Sequence, residues 1–224
     1  MQVDAAVKTL SLATTTHGRV LVRETAGPLA VVIGFHGYME NAEIQMERLV
    51  SIPGSERWTL VSVQGLHRFY RGRSQEVIAS WMTRQDRDAA ILDNIEYVNR
   101  VVEAAAPPGG RVVTVGFSQG VAMAFRGAVR GARRASAIVA VGGDVPPELL
   151  EDPAAAFPPA MLARGAGDDW YTAARLDADV NALRARGCRV ETLVYEAGHE
   201  WTAEVATAAS AFIAHPASRI PHPD

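Results

Sequence analysis

The chain has 224 residues, 22 Lys and Arg against 25 Asp and Glu, and a formal net charge of −3. That length suits one domain, and 48% hydrophobic with 21% charged residues excludes a disordered chain. The near-neutral balance argues against a nucleic-acid partner, and no run approaches the ~18 apolar residues of a membrane span.

The stretch from Val7 to Glu24 alternates weakly and turns at His17-Gly18, which predicts a β-hairpin. Leu29 to Phe35 is a continuous apolar run, the pattern of a strand buried on both faces. A helix follows over Asn41–Val50, then a second buried strand at 59–63. Residues 64–80 read as irregular and carry Arg68, Arg71 and Arg73. A long helix is expected from Gln85 to Ala105, stopped by Pro107-Pro108-Gly109-Gly110. Arg111–Phe117 is the strongest strand pattern, followed at once by a helix over Gln119–Ala128. Strands at 135–141, 160–165 and 188–195 alternate with helices at 172–186 and 200–214, and Pro146–Pro159 reads as a surface connection. Strands alternating with helices predict an α/β fold of three layers, with a mostly parallel central sheet and helices on both faces. The whole chain reads as one domain, with a frayed tail at 215–224.

Gly116-Phe117-Ser118-Gln119-Gly120 is a G-x-S-x-G motif between that strand and that helix. A turn this tight leaves the serine exposed in a strained conformation and needs small neighbours, which the glycines supply. A serine hydroxyl needs a base, usually His oriented by a carboxylate. Of the six histidines, His199 follows a strand across a short loop, at the carboxyl edge where open α/β sheets bind ligands. Asp168 and Asp169 follow the strand at 160–165, so either carboxylate can orient His199 while the other caps the next helix; Asp168 is the preferred acid. Backbone N–H groups of Tyr38 and Gln119 are the expected oxyanion donors. His36 reads as a structural residue that holds the Tyr38 loop.

These segments resemble the α/β-hydrolase superfamily, and within it the carboxylesterase/phospholipase group that includes acyl-protein thioesterases. The resemblance rests on FHGYMEN (35–41), VSVQG (61–65), SW (80–81), VGFSQGVAMA (115–124), RGAGDDW (164–170) and YEAGHEW (195–201). It implies a Ser118–Asp168–His199 triad, and the place of Asp168 after Gly165-x-Gly167 matches the group's acid. Two departures stand out: Met39 sits where the group often has glycine, and an Arg-rich segment at 67–74 replaces a flexible acyl-binding loop. Dienelactone hydrolases, a related group, typically use a cysteine nucleophile, so Ser118 counts against that activity.

The expected function is hydrolysis of carboxylic esters, or thioesters, through an acyl-enzyme on Ser118. The alternatives are a lyase or C–C hydrolase on the same scaffold, or a non-catalytic binding module. Arg68, Arg71, Trp81, Trp170 and Tyr171 are candidate substrate contacts, with the Arg-rich loop favouring anionic esters. Arg126, Arg130, Arg133 and Arg134 read as a solvated basic run. No metal constellation or dinucleotide fingerprint occurs, so neither metal nor cofactor is expected. The partner is a small-molecule ester, and the chain is expected to be a monomer or homodimer. One cysteine, Cys188, an opening without the order of a signal peptide, and the Arg-rich, Lys-poor composition suggest a bacterial, cytoplasmic protein.

Overall fold

In the computed structural model, which describes residues 7–216, the apolar runs become a central sheet. Its strands are β1 (Val20–Arg23), β2 (Val31–Phe35), β3 (Thr59–Val63), β6 (Val112–Phe117), β7 (Ala137–Val141), β8 (Ala160–Gly165) and β9 (Val190–Tyr195). They lie side by side in the order β1-β3-β2-β6-β7-β8-β9, with every pairing parallel except β1 on β3. All residues of β2, β3, β6, β7 and β8 are buried, as expected of strands covered on both faces.

The side-chain period of two divides the core into two halves. Val31, Ile33 and Phe35 face α2 (Arg87–Ala105), α3 (Gln119–Arg130) and α5 (Ala173–Ala185); Ala30 and Val32 face α1 (Ala42–Ser51) and α6 (Ala203–Ala214). This is the three-layer arrangement that the alternation of elements predicts. Two helix starts, those of α1 and α6, carry a side-chain cap: Asn41 Oδ1 accepts from the Ile44 N–H at 3.0 Å, and Thr202 Oγ1 from the Val205 N–H at 3.3 Å.

Three expectations change. Residues 7–19 form no strand, so there is no N-terminal hairpin; β1 instead pairs with β3, a partner some forty residues on. Residues 64–80 are not irregular: β4 (His67–Tyr70) and β5 (Val77–Ser80) form a separate antiparallel hairpin closed around Gly72, which has φ +54°. The connection 146–159 contains a short helix, α4 (Pro147–Leu150). The tail expectation falls mostly on residues 217–224, outside the described ones.

The order of strands positions the site. The chain moves from β2 outward to β3, then crosses back to β6 on the other side of β2. The carboxyl ends of β2 and β6 therefore flank the point where the winding reverses, and a crevice opens there. Residues 36–38 and Ser118 sit at that edge. Among the described residues, no helix is long and apolar enough to cross a membrane.

Candidate active site

Ser118 directly follows β6 with φ +52° and ψ −121°, a strained backbone for a residue with a Cβ. Immediately beyond it α3 begins, so the hydroxyl stands at the apex of a sharp strand-to-helix turn. Gly120 makes the turn possible: a Cβ there would lie 2.1 Å from the Phe35 carbonyl oxygen and 2.6 Å from that of His36. The first oxygen belongs to β2 and the second accepts from Trp81 Nε1, so neither is free to move. Gly120→Ala is thus expected to destabilise the fold by at least about 2 kcal/mol, lowering Tm by about 4–8 °C, measured by scanning calorimetry.

His199 follows β9 through residues 196–198. Its Nε2 lies 2.9 Å from Ser118 Oγ and its Nδ1 2.8 Å from Asp168 Oδ2. An ionised carboxylate only accepts, so Nδ1 carries the proton and Nε2 is left to accept from the serine hydroxyl. Gly142, with φ +67°, packs beside this pair: a Cβ there would meet His199 Cε1 at 3.0 Å. On another side, the Phe117 ring lies 5.1 Å from the imidazole, and the Arg48 guanidinium sits 4.0 Å over Phe117.

Asp168 does two jobs that the sequence divides between neighbours. Oδ2 receives His199, while Oδ1 accepts from the N–H groups of Trp170 at 2.8 Å and Tyr171 at 2.9 Å. Its side chain is fully buried. Burial by itself would push the carboxyl up, but the Tyr171 N–H, His199 and the Trp170 N–H outweigh it and hold Asp168 below the usual carboxylate range. Asp169 is exposed and takes neither role; α5 begins after Thr172 without a side-chain cap.

The loop after β2 is held from three directions. His36 is buried; its Nε2 accepts from the Gly65 N–H at 2.9 Å, so Nδ1 donates to the Gly37 carbonyl at 2.7 Å. Burial is the main influence on this ring and lowers its pKa, consistent with a neutral, structural histidine. Trp81 Nε1 donates to the His36 carbonyl at 2.8 Å. Glu40 Oε2 accepts from the Gly37 N–H at 2.7 Å, and both Glu40 oxygens receive Arg48 at 2.6 Å. Burial favours the neutral Glu40 acid, but Arg48 and Gly37 overcome it, and its pKa falls. Met39, where a glycine is common in the resembling group, takes φ +60° all the same, and its N–H donates to the Ala79 carbonyl at 3.1 Å. Among the described residues, no acceptor is found for the N–H of Tyr38 or of Gln119.

A cleft of about 260 Å³ opens beside Ser118 and His199. Trp170, 76% exposed, and buried Tyr171 line it. The Tyr171 hydroxyl donates to Asp179 Oδ2 at 2.9 Å, and burial pushes the Asp179 carboxyl up to about 6. The other candidate contacts lie elsewhere. Trp81 is buried under the His36 loop and does not line the cleft. Arg68 donates to the His17 carbonyl at 2.9 Å; Arg71 donates to the Met39 carbonyl at 2.9 Å and pairs with Glu76. Both point their donors at the protein's own backbone, and neither lines the cleft.

The arginines that do line it are Arg87, Arg126 and Arg175. Arg126, read from sequence as part of a solvated run, is 1% exposed and bonded to Glu148. The i, i+3, i+7 spacing of Gln119, Ala122 and Arg126 was the available signal. A larger cleft of about 750 Å³, between residues 14–18 and α2, shares no residue with the site. No cluster of three His, Cys, Asp or Glu among the described residues could hold a metal ion.

No curated protein sequence matches the chain. Several solved structures share its fold. Esterase PE8 is 22% identical, with 88% of this chain and 97% of that one covered and a TM-score of 0.70. Acyl-protein thioesterase 2 of Zea mays is 18% identical, covering 88% and 98%, at 0.69. A phospholipase/carboxylesterase of Dyadobacter fermentans is 18% identical, covering 90% and 99%, at 0.67. The sequence profile of the dienelactone hydrolase family matches residues 66–217, more than half of the chain, including Ser118, Asp168 and His199. The chain therefore belongs to the dienelactone hydrolase family and has the α/β-hydrolase fold.

Proposed function

We propose that this protein is a serine hydrolase of carboxylic esters, thioesters included, that works through an acyl-enzyme on Ser118. The observation that carries this reading is the hydrogen-bonded line from Ser118 Oγ through His199 to Asp168, at 2.9 and 2.8 Å, at the apex of a strained turn. Ser118 Oγ attacks the acyl carbon while His199 Nε2 takes its proton. The Asp168 carboxylate holds Nδ1–H and stabilises the imidazolium that forms. The tetrahedral oxyanion receives the free N–H groups of Tyr38 and Gln119, the latter at the N-terminus of α3. As the oxyanion collapses, the ester bond breaks and His199 returns the proton to the leaving alcohol or thiol. Water then attacks the acyl-enzyme, losing its proton to His199, and the acid departs as Ser118 regains it.

Family membership does not carry the dienelactone substrate with it, because the nucleophile here is a serine hydroxyl. We also place the protein in a reducing cytoplasm, for which the single thiol, buried and donating to the Pro158 carbonyl, is the support. The test is labelling with a fluorophosphonate followed by intact mass and peptide mapping, together with turnover of short-chain p-nitrophenyl esters and thioesters. One adduct on Ser118 and measurable turnover are expected. An unlabelled Ser118 with no turnover of any ester overturns the reading.

A further inference from the structure

The cleft beside Ser118 has a charged wall for which ester hydrolysis alone has no use. Gln119, Ala122 and Arg126 face it from one side of α3. Arg126 Nε and Nη2 both contact Glu148 Oε1, at 2.8 and 2.6 Å. Its Nη1 meets only the Met82 sulfur, 3.5 Å away, and no oxygen among the described residues. A thioether is a weak acceptor, so a buried charged donor is left nearly unused beside an open cleft. Arg87 takes the other oxygen of the same carboxylate, Glu148 Oε2, at 3.2 Å. Two guanidinium groups thus share one acid. Asp88, 3.7 Å from Arg87, is 98% exposed and offsets little of the surplus. Arg175 and Asp144, also on the cleft, pair at 2.8 Å and cancel each other.

We propose that this wall is an anion subsite, and that the ester presented to Ser118 carries a carboxylate gripped by Arg126 and Arg87. The proposal rests on the hydrolase reading of Ser118 and names its substrate class. The reach is suitable. A helix rises about 1.5 Å per residue, so Arg126 lies about 12 Å beyond Ser118 along α3. Long helical side chains lean back toward the N-terminus, which returns the guanidinium toward the serine. A linker of a few carbons between the ester carbonyl and the carboxylate spans what remains. The substrate class is then half-esters or thioesters of short dicarboxylic acids, with the Arg-rich hairpin at 67–80 playing no part.

Monomethyl glutarate and methyl glutaramate test this, since they differ only in a carboxylate against an amide. The ratio of their kcat/KM values is expected to favour the carboxylate by about 10- to 100-fold, the usual worth of a charge-assisted contact. Arg87→Gln, at a partly exposed position, and Arg126→Lys, which keeps the charge but loses the fork, should each lower that ratio at least about fivefold. Should Arg126→Lys fail to fold, Arg87→Gln decides. Turnover of both esters at a ratio within twofold of one, or a ratio unmoved in Arg87→Gln, overturns the anion subsite and leaves the hydrolase reading intact. An enzyme that fluorophosphonate labels on Ser118 but that hydrolyses neither ester overturns the substrate class. Neither labelling nor turnover overturns the hydrolase reading, and the proposal with it.

Discussion

Ser118→Ala is expected to cut kcat/KM for p-nitrophenyl acetate by about 10⁴- to 10⁶-fold, the cost of removing the nucleophile from a hydrogen-bonded triad. The loss should be purely chemical. Ser118 Oγ is hydrogen-bonded to His199 Nε2, and Ser118 is only partly buried at the mouth of the cleft, so removing the hydroxyl empties little core volume. The strain of φ +52° is the same for alanine as for serine, since both carry a Cβ. Tm should therefore stay within about 4 °C of wild type, the range of a change near 1 kcal/mol in a chain this long. Steady-state kinetics and calorimetry on the same preparation check both halves. Activity within tenfold of wild type would refute the role given to Ser118.

Asp168→Asn is expected to lower kcat by about 10⁴-fold, while Asp169→Asn changes it less than about threefold. The reason lies in how one carboxylate serves three donors. Asp168 Oδ1 accepts two backbone N–H groups and Oδ2 accepts His199 Nδ1–H. An asparagine has one acceptor oxygen, and the fixed pair of backbone donors at Trp170 and Tyr171 claims it. Its amide nitrogen then faces His199 and donates to Nδ1. The imidazole proton moves to Nε2, the atom that must accept from Ser118. The fold survives, because the turn at 168–171 keeps its hydrogen bonds, yet the base is blocked. Asp169 is exposed and bonds neither His199 nor the next helix. A crippled Asp169→Asn with an active Asp168→Asn would reverse the assignment.

What was legible in the sequence is what leaves a local trace. A strand covered on both faces is apolar at most positions, so β2, β3, β6, β7 and β8 announce themselves as short, largely apolar runs, interrupted only by the buried Thr59, Ser62, Thr114 and Arg164. A nucleophile turn must have small residues at fixed offsets, because a side chain at Gly120 would strike the end of β2. The residues proposed as acid and base follow later strands because parallel crossovers return each parallel strand's carboxyl end to one edge. Those three constraints, each readable within about ten residues, yield the α/β layers and Ser118, Asp168 and His199.

The tertiary structure alone decided the rest, and the reason is always a partner far away in the chain. β1 finds β3, which lies beyond β2 and α1, rather than its own neighbour. The segment 67–80 looks irregular because its arginines mask the β-forming Phe69, Tyr70, Val77 and Ile78, and only the pairing of the two halves makes it a hairpin. The same hairpin turns Arg68 and Arg71 onto backbone carbonyls at His17 and Met39, away from the cleft. Arg126 is the clearest case. Beyond its helical spacing from Gln119 and Ala122, nothing near it in sequence marks it off from Arg130, Arg133 and Arg134, since its counter-ion, Glu148, arrives only when β7 and α4 follow α3 back across the sheet. A charge is worth burying when an opposite charge meets it there, and that meeting is a property of the topology, which no local run of residues records.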